Sequence, residues 1–114
     1  MDISLVWYYT ITNNSFRIDP GSVGILCGLG TREILIQGNL FYGETGIALA
    51  DAGSGYGVAG IEISGNDFNT TYAITCTAPI YGLYIKNNMF TSGAVEVQIS
   101  SYFEFSNNTL MGDY

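Results

Sequence analysis

One eight-residue pattern of hydrophobic and polar positions occurs five times along the chain. It consists of an apolar residue, any residue, an apolar residue, a polar residue, Asn or Gly, Asn, any residue, and an apolar residue that is usually Phe. The copies occupy residues 9–16, 34–41, 61–68, 83–90 and 103–110. Alternating apolar and polar residues predict a β-strand with one buried face, and the Asn or Gly that follows predicts a sharp turn.

The copies recur at a period of twenty-odd residues, with further short strand patterns between them. Their central asparagines lie 25, 27, 22 and 20 residues apart, and they are Asn14, Asn39, Asn66, Asn88 and Asn108. Strands are also predicted at residues 3–7, 25–27, 47–49, 73–76 and 94–99, with a loop at 17–24, turns at 42–46 and 78–79, and a Gly-rich connection at 50–60. A strand-only repeat of this period predicts an all-β solenoid of about five rungs with essentially no α-helix.

Stacking explains most residues of the repeat. In the third copy Ile61 and Ile63 should face the lumen, whereas Glu62 and Ser64 should face outward. Because successive coils lie about 4.8 Å apart, the five central asparagines should form an inward ladder at a turn where Asn tolerates left-handed backbone. The apolar residues that end the copies should stack in the core, and they are Phe16, Phe41, Phe68, Phe90 and Leu110.

The repeat resembles the right-handed parallel β-helix of the pectate-lyase-like superfamily, which includes phage tailspikes and capsule depolymerases. This resemblance covers nearly the whole chain, and it alone implies the handedness. It also implies a parallel homotrimer, with catalytic carboxylates either within one chain or between chains. From the length we expect a single β-helix segment over residues 1–114, part of a longer chain or of an oligomer that covers its ends.

Charge and composition exclude several classes of function. The formal net charge is −7, and the only cationic residues are Arg17, Arg32 and Lys86, so the basic footprint that nucleic acid requires is missing. The first apolar run, at residues 3–9, is far shorter than the roughly 20 residues of a membrane span. The start of the sequence lacks the features of a signal peptide, so we expect a chain that is exported by another route, assembled into a particle in the cytoplasm, or cut from a longer protein. The resemblance to tailspikes implies a virion or extracellular surface location, reached without a signal peptide.

The cysteines and the acidic residues give little support for a cofactor. Cys27 and Cys76 occupy corresponding positions with Leu49 between them, about 9.6 Å apart, so two free buried thiols are predicted. With no His in the chain, neither a metal site nor a nucleophilic triad is predicted. Asp67 and Asp51 are the candidates for a calcium site, but neither belongs to a dense carboxylate cluster. The predicted cofactor complement is therefore none.

The outward positions carry the candidate chemistry. Glu62 and Glu104 should flank Tyr84, with Lys86 and Ser64 in the next outward row. The two carboxylates would lie about 9.6 Å apart, near the upper end of the separation in inverting glycosidases. One hypothesis is therefore an endoglycosidase with Glu62 and Glu104 as acid and base and Tyr84 stacked on a sugar. The other is an ordinary solvated sheet face.

Three functions remain open from the sequence. The first is a polysaccharide-recognising segment of a phage tailspike-like receptor-binding protein, with glycan-degrading activity in the full-length form as a further option. The second is a purely structural module of a virion or fibre. The third is the repeat portion of a pectate-lyase-like or epimerase-like enzyme. We expect a surface polysaccharide as partner, no nucleic acid, no membrane insertion, and a homo-oligomer with a trimer favoured.

Overall fold

The computed structural model describes residues 1–3, 7–28, 30–49, 58–77, 80–96 and 101–111. Within these residues the chain forms parallel strands and no helix, which confirms the predicted parallel β-solenoid, with about four turns instead of five. The strands are β1 (Asp2–Ile3), β2 (Trp7–Thr12), β3 (Ser15–Cys27), β4 (Arg32–Gln37), β5 (Leu40–Leu49), β6 (Val58–Ser64), β7 (Asp67–Cys76), β8 (Ile80–Lys86), β9 (Met89–Glu96), β10 (Ser101–Ser106) and β11 (Thr109–Leu110).

The strands form two sheets, and each sequence repeat crosses from one sheet to the other at its Asn turn. The five-stranded sheet has the order β10-β8-β6-β4-β2, and the six-stranded sheet has the order β1-β3-β5-β7-β9-β11. Equivalent residues of successive repeats are register partners: Ile61 pairs with Ile34 on one side and with Leu83 on the other. The repeat therefore sets the register of the solenoid.

Two predicted irregular segments lie inside strands. The loop at 17–24 belongs to β3, and the turn at 42–46 belongs to β5. Pro20 lies where the register between β3 and β5 shifts, between Ile18 and Val23, so the loop signal produces a bulge in a continuing strand. Gly43 has a φ of 132°, and a Cβ there would lie 2.0 Å from the carbonyl oxygen of Ile18, so glycine permits the bend.

Both ends of the strand predicted at 3–7 lie in strands, and residues 4–6 are outside the described residues. Ile3 pairs with Cys27 in the six-stranded sheet, whereas Trp7 begins β2 in the five-stranded sheet. The two residues therefore belong to different sheets. The turn at 78–79, most of the connection at 50–60 and the end of the strand predicted at 94–99 lie outside the described residues.

The core contains a stack of aromatic rings between rows of Ile. Ring centroids are 5.0 Å apart for Phe16 and Phe41, 4.8 Å for Phe41 and Phe68, and 5.1 Å for Phe68 and Phe90. Leu110 does not complete this stack, because it is 46% exposed in the two-residue strand β11. The ring of Phe105, from β10, stacks on Phe90 instead, at 6.2 Å.

The asparagines form a continuous hydrogen-bonded ladder. Each Oδ1 from Asn39 onward accepts from the backbone N–H and from Nδ2 of the preceding asparagine, at 2.9–3.2 Å. Nδ2 of Asn66 also donates to the carbonyl oxygen of Ile36, at 2.9 Å. Asn39, Asn66 and Asn88 are buried. The ladder thus satisfies polar groups that the turn carries into the interior.

The left-handed residue of each turn is the one before the ladder asparagine. These residues have φ between 54° and 71°, and they are Asn13, Gly38, Gly65, Asn87 and Asn107. The ladder asparagines themselves have negative φ, which corrects the expectation that they adopt the left-handed conformation. Their amide is used for bonding between coils, and the preceding Asn or Gly makes the bend.

Candidate functional site

The outer face of the five-stranded sheet brings the predicted site residues together. Tyr84 pairs with Glu62 on one side and with Glu104 on the other. Lys86 pairs with Ser64 on β6. We call these five residues the outer strip. With neighbouring strands about 4.8 Å apart, the backbones of Glu62 and Glu104 are separated by about 9.6 Å.

Glu62 is held by two neighbours within the outer strip. Nζ of Lys86 lies 3.6 Å from Oε1 of Glu62, and both side chains are about one-third exposed. The hydroxyl of Ser64 donates to Oε2 of Glu62 at 3.1 Å. Ser64 itself is only 5% exposed, so it orients Glu62 and is poorly placed to contact a ligand. Both carboxylate oxygens of Glu62 therefore have a fixed partner.

Glu104 has the same local support without a cation. The hydroxyl of Ser106 donates to Oε2 of Glu104 at 2.9 Å, which repeats the Ser64–Glu62 contact two strands away. Within the described part of the chain, the structure gives Glu104 no ion pair. The two carboxylates thus differ in their surroundings: Glu62 is paired and half-buried, whereas Glu104 is exposed. Both can accept hydrogen bonds from a polyhydroxylated ligand.

Glu33 is a site residue that the sequence argument did not find. A cleft of about 270 Å³ opens beside the outer strip, and Glu33, Gly60, Glu62 and Tyr84 are among the residues that line it. A Cβ on Gly60 would lie only 2.6 Å from Oε1 of Glu33, so the carboxylate of Glu33 lies across the glycine. A third carboxylate therefore shares the cleft with Glu62.

A row of left-handed residues explains how Glu33 reaches this position. The residue immediately before each repeat has φ between 55° and 79°; these residues are Tyr8, Glu33, Gly60, Gly82 and Tyr102. Each falls between two register partners, and the register is the same on both sides of it, so these left-handed residues lie opposite one another on neighbouring strands. Tyr8 and Tyr102 are 81% and 78% exposed. In the sequence, only the glycines at two of the five positions signal this left-handed conformation, since non-Gly residues seldom adopt it.

Other exposed tyrosines are distributed over both sheets. Tyr81 lies on β8, and Tyr42 and Tyr72 lie on the six-stranded sheet; all three are exposed. Tyr84 is half-buried between the two carboxylates of the outer strip. Tyr56 is outside the described residues. Aromatic rings that sugars could contact are therefore present on both sheets.

The described residues contain no group of three or more Cys, Asp or Glu side chains that could hold a metal ion. Asp67 accepts a hydrogen bond from the hydroxyl of Thr91 at 3.3 Å. Asp51, the other calcium candidate, lies outside the described residues.

Neither Cys27 nor Cys76 forms a disulfide, and both are buried, as predicted. Leu49 is the register partner of both Cys27 and Cys76. Burial raises the pKa of the Cys27 thiol from 9.0 to about 12, because a thiolate would lose its hydration in the core. The thiolate is the nucleophilic form, so Cys27 carries no chemistry near neutral pH.

In the described part of the chain, no helix has the length and apolar character needed to cross a membrane. Comparisons with protein-family models, with curated proteins and with solved structures gave no match to this chain. The structure therefore defines the class of protein as a parallel β-solenoid with an asparagine ladder, and the features that bear on its function lie on its surfaces.

Proposed function

We propose that this chain is a polysaccharide-recognising β-solenoid segment of a tailspike-like receptor-binding protein. The observation that carries the proposal is the outer strip, in which Tyr84 lies between Glu62 and Glu104 beside an open cleft. An aromatic ring offers a flat apolar face to the C–H face of a sugar, and the carboxylates accept hydrogen bonds from its hydroxyls.

The electrostatics support a sugar over other polymers. The net charge of −7 disfavours nucleic acid, whose phosphates the protein would repel. The cleft is open to solvent and two carboxylates line it, unlike the enclosed pockets that hold small cofactors. A neutral polysaccharide gains hydrogen bonds from Glu33, Glu62 and Glu104 without a charge conflict.

A glycan-degrading step is a further option for the full-length protein. The backbone separation of about 9.6 Å between Glu62 and Glu104 suits two carboxylates with a water molecule between them. The resemblance to tailspikes also supports a homotrimer at a virion or cell surface. A purely structural module in a virion or fibre is the alternative to polysaccharide recognition.

Binding to an array of bacterial surface glycans tests the proposal. The intact protein should bind a defined subset of the array, and Tyr84→Ala should weaken that binding by about tenfold because the stacking face is lost. Tyr81→Ala removes an exposed ring from the same strand outside the cleft and should bind like the original protein.

The same samples separate recognition from cleavage. If the strip also degrades the bound glycan, Glu62→Gln should retain binding and stop the release of oligosaccharide. Absence of binding to every glycan would favour the structural module. Equal binding by Tyr84→Ala and the original protein would place recognition elsewhere on the molecule.

A further inference from the structure

The outer face of the six-stranded sheet carries a second groove. Two clefts, of about 440 and 480 Å³, lie side by side, and Tyr42 and Asn69 line both of them. Arg17 and Asp67 line the first cleft, and Ser92 lines the second. We call the combined feature the Tyr42 groove. Each of its two clefts is larger than the cleft beside the outer strip, which is about 270 Å³.

One register row forms the length of the groove. Arg17 on β3 pairs with Tyr42 on β5, Tyr42 pairs with Asn69 on β7, and Asn69 pairs with Ser92 on β9. Three steps between neighbouring strands make this row about 14 Å long. It offers in sequence a guanidinium fork, an aromatic face, a carboxamide and a hydroxyl, and Tyr42 is 58% exposed.

Hydrogen bonds hold two polar side chains of the groove, Asn69 and Asp67. The hydroxyl of Ser92 donates to Oδ1 of Asn69 at 2.9 Å, which leaves Nδ2 of Asn69 without a partner among the described residues. Asp67 is fixed in the same way by the hydroxyl of Thr91. Arg17 is exposed and has no ion pair within the described residues, so its guanidinium is available but not fixed. A ligand would therefore meet two unpaired donors, of which only the carboxamide of Asn69 is oriented in advance.

Two glycines leave space at the base of the groove. Gly43 and Gly93 line the second cleft, and a Cβ on Gly93 would lie 2.6 Å from the carbonyl oxygen of Thr70. Thr70 lies beside them, and its buried hydroxyl has no hydrogen-bond partner among the residues that the structure describes. The space above this backbone is thus open because side chains are missing, and a polar group lies unsatisfied beneath it.

These features select a ligand class. The groove crosses the face of a sheet, where strand edges are already paired, so an added peptide strand does not fit. The groove has one cationic residue, Arg17, and the net charge of the chain is −7, so nucleic acid is a poor ligand for it. A polyhydroxylated chain fits all three side chains. A sugar ring can stack on Tyr42, its hydroxyls can bind Asn69, and two adjacent oxygens can accept hydrogen bonds from the guanidinium of Arg17.

We propose that the Tyr42 groove is a second oligosaccharide-binding site, separate from the outer strip, with Tyr42 as its stacking platform and Arg17 and Asn69 as its hydrogen-bonding anchors. The oxygens on Arg17 are either two neighbouring hydroxyls or the carboxylate of an acidic sugar. This site does not depend on recognition by the outer strip, which lies on the other sheet.

Binding of the full chain to immobilised neutral and uronate-containing oligosaccharides tests this site. Tyr42→Ala should weaken binding by about tenfold or more, whereas Tyr42→Phe keeps the ring and should retain most of it. Tyr72→Ala is the matched control, because it removes an exposed ring from the same sheet outside the groove. Arg17→Gln should weaken binding, with a salt-dependent loss if the bound oxygens are a carboxylate and a salt-independent loss if they are hydroxyls.

The outcomes for the two sites can be told apart. Loss of binding in Tyr42→Ala with full binding in Tyr84→Ala supports the Tyr42 groove and places recognition away from the outer strip. The reverse result overturns the Tyr42 groove and leaves the outer strip intact. Unchanged binding by Tyr42→Ala, or no binding of the original chain to any oligosaccharide of the panel, overturns the second site.

Discussion

At the scale of single residues, two buried threonines differ in one respect that stability can measure. The hydroxyl of Thr31 donates to the carbonyl oxygens of Gly28 and Ile3. The hydroxyl of Thr70, which is also buried, has no partner in the described part of the chain. We expect Thr31→Val to lower the free energy of unfolding by about 1 kcal/mol, and Thr70→Val to raise it by a similar amount because an unpaired hydroxyl is removed.

The two variants control for each other, since both replace Thr by a side chain of the same shape at a buried position. Equilibrium unfolding in urea, followed by circular dichroism, gives both changes. Destabilisation by Thr70→Val would mean that its hydroxyl makes a hydrogen bond in solution, for instance to an ordered water beneath the Tyr42 groove.

At the scale of the turn, the asparagine ladder should be strongest in its middle. Asn66 accepts from Asn39 and donates to Asn88 and to the carbonyl oxygen of Ile36, all in the buried interior. Replacing Asn66 by Ala leaves several buried groups unpaired, and we expect a loss of about 3 kcal/mol or more in the free energy of unfolding.

Asn14→Ala is the matched control at the exposed end of the same ladder. Asn14 donates to Asn39 and to Thr12, and water can replace these bonds. The loss there should be about 1 kcal/mol. Equal losses at Asn14 and Asn66, measured by the same urea titration, would contradict a ladder whose contribution depends on burial.

The bend before each ladder asparagine gives a separate prediction. Gly65 has a φ of 64°, and a Cβ there would meet no atom closer than 3.9 Å. The left-handed backbone, and not a steric contact, therefore restricts which residues can occupy this position. Gly65→Asn should be nearly neutral, because Asn13 and Asn87 occupy equivalent positions with φ of 58°. Gly65→Val should cost about 1–2 kcal/mol, since a β-branched side chain resists left-handed backbone. Melting temperatures of the two variants measure the contrast, and similar melting temperatures would refute it.

At the scale of the whole molecule, stacking decides what could be predicted from the sequence. A residue such as Ile63 or Asn66 has the same neighbour in every coil, so five copies in one register were enough to predict the core, the ladder and the outer strip. Glu33 was not predicted, because its position depends on left-handed backbone that only glycine signals. The Tyr42 groove was not predicted either, since the sequence indicates irregular segments at residues 17–24 and 42–46, where the structure has strands.

Stability along the solenoid should also follow the stacking, because each coil contacts only its neighbours. β3 to β9 have a paired strand on both sides, whereas the described structure pairs β1, β2, β10 and β11 on one side only. In hydrogen exchange of the isolated chain, amides of β5, β6 and β7 should therefore exchange last, and those of β1 and β11 first.

Measuring hydrogen exchange at several protein concentrations distinguishes this gradient of amide protection from the effect of end-to-end association. If copies of the chain stack through their terminal strands, protection of β1 and β11 should rise with concentration while β6 stays unchanged. If the chain is a monomer, the gradient should be the same at every concentration. Uniform protection at all concentrations would contradict the prediction, because the terminal coils would then be as stable as the central ones without a strand on their outer side.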